Sequence, residues 1–269
     1  MTHAPSNENG MTLSADQLDA YLARIGMERP GSLDVDSLSR LHRAHLMAFT
    51  WEALDAFMGW PSSITPAAAH AKMVAGRRGG WCYEMNGLLG AALAGLGFRV
   101  TRLCGGVDRE RLGDLAIGNH LTLRVADAIV EPVPLAVGPF SQRGFDFSIT
   151  LEEGGWLRFN NHPRGIAKSF DFRPDHSDEA TMAATHGWLM HDPGSPFTNA
   201  LAVLRHTADG YISLQNDCLR RVKANSLTEQ FITSTDHLAE TFETVFDLDV
   251  PQPGRVWERV QAVGRDKAA

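Results

Sequence analysis

The stretch CYEMNGLLGAALAGLGFRVTRLCGGV, residues 82 to 107, changes its period in the middle. Up to Leu96 the apolar residues Met85, Leu88, Leu89, Ala92, Leu93 and Leu96 recur at helical spacing, and Gly97 follows as a stop. Beyond it FRVTRLCGGV alternates, or nearly so, with Val and Leu enriched, as half-buried strands do. The junction at Gly97 therefore predicts a helical unit before it and strands after it.

Working upstream, SADQLDAYLARIG places Ser14 three residues before Gln17, a capping-box pattern, with Leu18, Tyr21, Leu22 and Ile25 on one face. A second helix is expected over Asp36 to Phe49. Thr65-Pro66 is a cap followed by proline, starting a short helix through Val74. Downstream, HLTLRV from His120 reads as a strand and FDFSITLEEGGWLRFNN as a hairpin turning at Glu153-Gly154-Gly155. Residues 172 to 197 are turn-rich and acidic, an excursion between units. Two more strands are expected around Asp209-Gly210. TEQFITSTDHLAETFETVF, from Thr228, fits a terminal amphipathic helix using Phe231, Leu238, Phe242 and Phe246. The order is helices (1–97), strands (98–195) and a smaller mixed unit (196–269).

Length and charge bound the function. The 269 residues suffice for two or three compact units. With 25 basic and 32 acidic residues the net charge is -7, which repels nucleic acid and anionic membranes. No run of eighteen apolar residues predicts a span. The leader MTHAPSNENG lacks the basic and apolar regions of a signal peptide, so a cytoplasmic protein is expected. Cys82, Cys104 and Cys218 are odd in number and far apart, against a disulfide framework. CxxC, HExxH, GxGxxG and GxxxxGK are all missing, which argues against zinc and nucleotide-loop chemistry.

One cysteine stands apart. In RRGGWCYEMNG, residues 77 to 87, Cys82 falls in the first turn of a helix after two glycines. Unpaired N–H groups and the positive end of the helix dipole favour a thiolate there, and Arg77 and Arg78 are expected to add to that field. A buried structural thiol is the plainer reading. A nucleophilic cysteine needs a base near neutral pKa, and the base a third group to fix its tautomer. His120, opening LTLRV after Gly118-Asn119, is a candidate base or an ordinary strand-end residue. His42, His45 and His70 lie on expected helices and read as surface or packing residues. Cys104 and Cys218 read as inert packing thiols.

At this point the chain resembles the arylamine N-acetyltransferases, whose cysteine lies in an RGGxCxExN signature: here RGG at 78–80, then Cys82, Glu84 and Asn86. FTWEALDAF at 49–57, LGFRV, the histidine strand His120 to Val125, EPVPL at 131–135 and SPFTNALAV at 195–203 are also similar. The resemblance implies an α+β fold in three parts: a helical bundle, a closed central β-barrel and an α/β lid. It implies no bound cofactor, with acetyl-coenzyme A as donor substrate, Cys82 as acyl carrier, His120 as its base, and an arylamine or hydrazine as acceptor. Glu52, Tyr83 and Glu84 are family-like supports of the cysteine helix. Phe49, Trp51, Phe140, Phe145 and Trp188 are candidate acceptor-lining aromatics, and Arg205, Arg220, Arg221 and Lys223 candidate contacts for coenzyme A phosphates or a solvated basic surface.

The departure is equally specific. The resemblance calls for a hairpin and a D-V-G-F-G-like segment whose aspartate orients the histidine; here LTLRVAD runs straight into AIVEPVPL. Asp127, seven residues beyond His120, is the candidate replacement, with Glu131 behind it. Seven extended residues span up to roughly 23 Å, so the replacement needs an unusual bend. The alternative is a true deletion. The functional alternatives are accordingly an impaired member that binds coenzyme A or an aromatic ligand, or an amide synthase of the same family.

Overall fold

The computed structural model describes residues 12–126, 136–165 and 167–266. In chain order the first part holds α1 (Ala15–Arg24), α2 (Val35–Ala48), β1 (Trp51–Glu52), α3 (Leu54–Met58), α4 (Pro66–His70, continued by a π-turn to Ala75) and α5 (Cys82–Leu96). Then come β2 (Arg99–Val107), α6 (Arg109–Leu112), β3 (His120–Ala126), β4 (Gly138–Gln142), β5 (Phe145–Leu151), β6 (Leu157–Asn160), β7 (Ser169–Phe172) and α7 (Glu179–His191). The last part holds β8 (Ala202–Thr207), β9 (Gly210–Gln215), β10 (Cys218–Lys223), β11 (Ser226–Phe231), α8 (Thr235–Glu240, continued by a π-turn to Val245) and α9 (Pro253–Asp266).

The caps are where the sequence places them. Ser14 Oγ accepts the Gln17 N–H at 3.2 Å while Gln17 Oε1 accepts the Ser14 N–H at 3.0 Å. Thr65 Oγ1 accepts the Ala68 N–H, with Pro66 at the first helical position. α5 ends on Gly97 at φ 104°, a left-handed position that favours glycine. α5 is apolar on all sides because it is the central rod: Leu88, Leu89 and Leu93 pack with Leu18, Tyr21, Leu22, Leu38 and Leu41, while Leu123 and Val100 close over Gly90.

Two antiparallel sheets complete the fold. One runs β3-β2-β7-β6-β5-β4; the other runs β1-β8-β9-β10-β11, so that Trp51 and Glu52 pair with Leu204 and Val203 far downstream. The closed central barrel expected from the resemblance does not form among the described residues. The fold is α+β with two open sheets, and among the described residues β3 and β4 are the edges of the six-stranded one. The physical reason lies in what each end packs on. Leu121, Leu123 and Val125 turn the β3 end toward the helical cores, whereas Phe145 and Phe147 hold the β4 end against Tyr211, Val222 and Leu204 of the second sheet.

Three further expectations change. The acidic excursion contains α7, capped by Asp178, which accepts the Thr181 N–H at 3.0 Å. The terminal helix starts only after the Ser234 cap, because Ser226–Phe231 pairs with β10 as an edge strand. α9 follows it. No described helix is long and apolar enough to cross a membrane.

Candidate active site

The two glycines before Trp81 let the chain lie directly on β1. A β-carbon on Gly79 would stand 2.1 Å from the Thr50 carbonyl oxygen, and one on Gly80 would stand 2.7 Å from Glu84 Cβ. That closeness permits two backbone bonds: the Gly80 N–H donates to Thr50 O at 3.2 Å, and the Glu52 N–H to Gly80 O at 3.1 Å.

The arginines do not serve the field expected of them. Arg78 turns away from Cys82 and donates to Glu52 Oε1 at 3.1 and 2.8 Å and to Asp55 Oδ1 at 2.8 Å, while Arg77 pairs with Asp247 at 2.6 Å. Lys72 completes the group, its Nζ lying 2.7 Å from Asp55, 2.8 Å from Glu84 and 3.5 Å from Glu52. Burial works against the Glu52 carboxylate, yet Lys72 and Arg78 beside it hold it below its ordinary range. Glu84, in turn, reaches back to accept the Trp81 N–H at 3.3 Å, half of a capping box at the start of α5.

Cys82 is the first residue of α5 and only 7% exposed. Backbone hydrogen bonding from Leu121 and Tyr83 favours its thiolate. Burial nevertheless outweighs them and pushes the thiol up to about 11, with the Glu84 charge adding to the rise. The expectation of a lowered thiol pKa is overturned: the helix terminus pulls downward, but desolvation is larger and the arginines are spent elsewhere.

The start of β3 is clamped to this turn. Tyr83 Oη donates to Gly118 O, and Asn86 Nδ2 donates to Leu121 O at 2.6 Å. His120, between those two anchor points, stands opposite Gly105 in the sheet, and its ring packs 4.9 Å from Phe170. Burial pushes its imidazole down to about 4, so it is neutral at pH 7. Among the described residues no hydrogen bond joins its ring to the Cys82 sulfur. Unliganded acyl-transfer sites often tighten such bonds only with substrate present. Asp127 and Glu131 lie outside the described residues.

Aromatic rings gather in the same buried cluster as Cys82, though mostly not those the sequence suggests. Trp81 stands 5.3 Å from Phe197 and 5.2 Å from the His186 ring; Trp51 stands 6.0 Å from Phe197, and Tyr83 stands 5.4 Å from His186. His186 Nε2 is buried without a partner. Of the five candidate lining residues only Trp51 belongs to this group. Phe49 is core beside Tyr21 and His45, Phe140 stacks on Phe147, Phe145 on His162, and Trp188 is 48% exposed. Phe197 was missed, although it lies in SPFTNALAV, a stretch marked only by its resemblance; His186 carried no local signal. Cys104 is fully buried and donates to Asp178 O at 3.2 Å, as a packing thiol does. Arg220 pairs with Glu229 at 2.8 Å, Lys223 with Asp209 at 2.6 Å, and Arg205 donates to Val245 O at 3.3 Å, so these three cations are already engaged.

The chain is similar to known proteins over most of its length. A family profile described as N-acetyltransferase matches residues 34–129 and 126–255. The arylamine N-acetyltransferase of Mycolicibacterium smegmatis is 35% identical over 173 residues, 63% of this chain and 60% of that protein. The arylamine N-acetyltransferase / N-hydroxyarylamine O-acetyltransferase of Salmonella typhimurium is 27% identical over 252 residues, 87% of this chain and 89% of that one. The solved structure of Mycobacterium marinum arylamine N-acetyltransferase in complex with CoA aligns at TM-score 0.79 and 26% identity, covering 91% of this chain and 99% of that chain.

Proposed function

Because the chain belongs to the arylamine N-acetyltransferase family, we propose that it moves an acetyl group from acetyl-coenzyme A to an arylamine or hydrazine, with Cys82 as the carrier and His120 as the base. The observation that carries this reading is Cys82 at the first position of α5, in a turn that Tyr83 and Asn86 clamp to the strand His120 opens.

The Cys82 sulfur attacks the thioester carbonyl of acetyl-coenzyme A and loses its proton to neutral His120. The coenzyme A thiolate leaves and takes that proton. The acceptor nitrogen then attacks the acetyl-Cys82 carbonyl, gives its proton to His120, and Cys82 departs as the thiol once reprotonated. A weakly basic arylamine suits this sequence because it is unprotonated at neutral pH. The rings of Trp81, Phe197 and Trp51 offer a flat acceptor its apolar contacts. We place the reaction in the cytoplasm, where Cys82, Cys104 and Cys218, all unpaired, stay reduced.

The shifts at Cys82 and His120 both favour the neutral thiol and neutral imidazole, so proton transfer is uphill until the carbonyl closes on the sulfur. That observation favours slow acylation, and gives weight to a second reading in which the chain binds coenzyme A without turning it over. Incubation with acetyl-coenzyme A followed by peptide mass spectrometry tests the first reading, which expects one acetyl group on Cys82. Acetyl on Cys104 or Cys218 but never on Cys82 would overturn it; binding of coenzyme A with no acetylated peptide selects the second.

A further inference from the structure

The RGG turn that carries Cys82 is held from the far end of the chain. Between the π-turn after α8 and the start of α9, residues 246–249 run across it as a strap. The Phe246 carbonyl accepts the Thr50 hydroxyl at 2.5 Å, and the Asp249 N–H donates to the Arg77 carbonyl at 3.1 Å. Thr50 is also the residue whose own carbonyl accepts the Gly80 N–H. The strap thus bonds both segments of that pairing, one at Thr50 and the other just ahead of Gly80. Phe246 and Leu248 are buried with Leu238 and Phe242 in the core of the last part, which anchors the strap itself.

Charge reinforces the grip at one residue. Asp247 Oδ1 lies 2.6 Å from the Arg77 guanidinium, and its Oδ2 lies 3.3 Å from Arg24 in the last turn of α1. Both members of the closer pair have left-handed backbone, Arg77 at φ 49° and Asp247 at φ 53°. Aspartate tolerates that region better than most residues; arginine does not, and keeps it only where its surroundings hold it. Around Arg77 the holding contacts are the Asp249 N–H on its carbonyl, the Asp247 carboxylate on its guanidinium, and the next N–H, that of Arg78, on Lys72 O at 3.2 Å.

We infer that Asp247 is a positioning residue for the proposed acyl transfer: acting through Arg77, it fixes the turn five residues ahead of Cys82 and so sets where the sulfur stands. The inference rests on Cys82 being the nucleophile. The Arg77 and Asp247 side chains are 66% and 32% exposed, so their pairing adds little to global stability and is screened by salt. Breaking it is therefore expected to move the rate and leave the melting temperature in place.

The test is acylation of Cys82 by p-nitrophenyl acetate, in which the sulfur takes the acetyl group and p-nitrophenolate leaves. This donor is neutral and carries no phosphate for Arg77 to meet. Release of p-nitrophenolate gives the rate at saturating donor, and mass spectrometry of the Cys82 peptide locates the acetyl group. Asp247→Asn and Arg77→Met are each expected to slow the step roughly tenfold, because a misplacement of about 1 Å costs on the order of a hundredfold and the backbone bonds of the strap remain. The double variant is expected to be no slower than the slower single one, since both remove the same contact. Arg77→Lys, which keeps the charge, is expected to stay near the parent. Added sodium chloride is expected to slow the parent and not Arg77→Met. Hydrogen exchange of the peptide spanning residues 77–87 is expected to quicken in both single variants, with that of α9 unchanged.

Single variants that acylate at the parent's rate, losses that multiply in the double variant, or unchanged exchange over 77–87 would each overturn the inference. So would a loss of rate that follows a matching fall in melting temperature. A parent that takes no acetyl group on Cys82 defeats the proposed function by itself; hydrogen exchange still decides whether Asp247 holds the turn.

Discussion

Replacing Gly79 by alanine tests whether the turn that carries Cys82 is held by its contact with the segment at Thr50 and β1. The new β-carbon would sit 2.1 Å from the Thr50 carbonyl oxygen, 2.8 Å from Glu52 Cγ and 3.0 Å from the Thr50 carbonyl carbon. Two of those atoms are backbone and cannot swing aside, so the RGG segment and β1 must part by about an ångström to restore ordinary contact. The movement breaks the Gly80–Thr50 and Glu52–Gly80 backbone bonds. Two bonds at about 1 kcal/mol each and overpacking at about 1–3 kcal/mol give roughly 3–5 kcal/mol. At about 2–4 °C per kcal/mol this lowers the midpoint of thermal unfolding by roughly 10 °C. A displacement of that size at a reacting atom costs on the order of a hundredfold in rate. The matched control is Gly187→Ala inside α7, where a β-carbon meets nothing within 4 Å. It should stabilise by about 0.5–1 kcal/mol, because alanine is the better helix former. Unfolding followed by circular dichroism and acetylation of Cys82 by acetyl-coenzyme A, read by mass spectrometry, measure the two effects. A Gly79→Ala protein that melts with the parent and reacts at the parent's rate would refute the argument.

Arg78→Met leaves Glu52 and Asp55 buried with only Lys72 between them, and should cost about 3–5 kcal/mol at neutral pH. Glu52 is held low in the folded protein, so its share is present above its unfolded pKa and lost as pH falls through the folded one; urea unfolding that shows the same deficit in acid as at neutral pH would remove the charge pairing. Phe197→Ala strips the ring beside Trp81 and Trp51 and should raise KM for an arylamine about tenfold while sparing Cys82 acetylation; an equal loss in both half-reactions would take Phe197 out of the acceptor site. Asp127→Asn should change the rate of Cys82 acetylation little, the parent itself being slow; a fast parent and a mutant slower by about a hundredfold or more would install Asp127 as the orienting carboxylate.

Much of the fold was legible because its signals are local. The Gly97 junction, the Ser14 and Thr65 caps, the hairpin after Phe145 and the strands around Asp209-Gly210 each announce themselves within a few residues. α7 did not. Its buried Met182, Leu189 and Met190 are interleaved with His186 and Gly187, and the face is decided by packing on Trp81 and Tyr83 a hundred residues away in sequence. β11 was read as helix for the opposite reason. All six of its residues are exposed, so no burial alternation marks it, and its register is supplied by β10. Barrel closure is a relation between distant edges that no strand pattern records. At the site, Cys82 at a helix start was legible, but its environment was not. Arg77 and Arg78 adjoin it in sequence and turn toward Asp247, Glu52 and Asp55, leaving burial to set the thiol.

The orienting carboxylate is a question of sheet faces. A carboxylate that serves His120 from within the sheet must lie on the same face, and a shift of one residue reverses that face. Across β2, His120 stands opposite Gly105, which has no side chain, while Asp171 stands opposite Gly106, the next residue along. Alternation therefore turns Asp171 to the other side, where Arg158 holds it at 2.7 and 3.0 Å and Arg109 at 3.4 Å. The inner side of β3 thus offers His120 no carboxylate among the described residues. Its outer edge pairs with no described strand. A carboxylate arriving from there would favour the imidazolium and draw the proton from Cys82. Without one, the neutral pair persists and acylation waits on the substrate. The Asp127→Asn comparison therefore separates a fast transferase from a slow one.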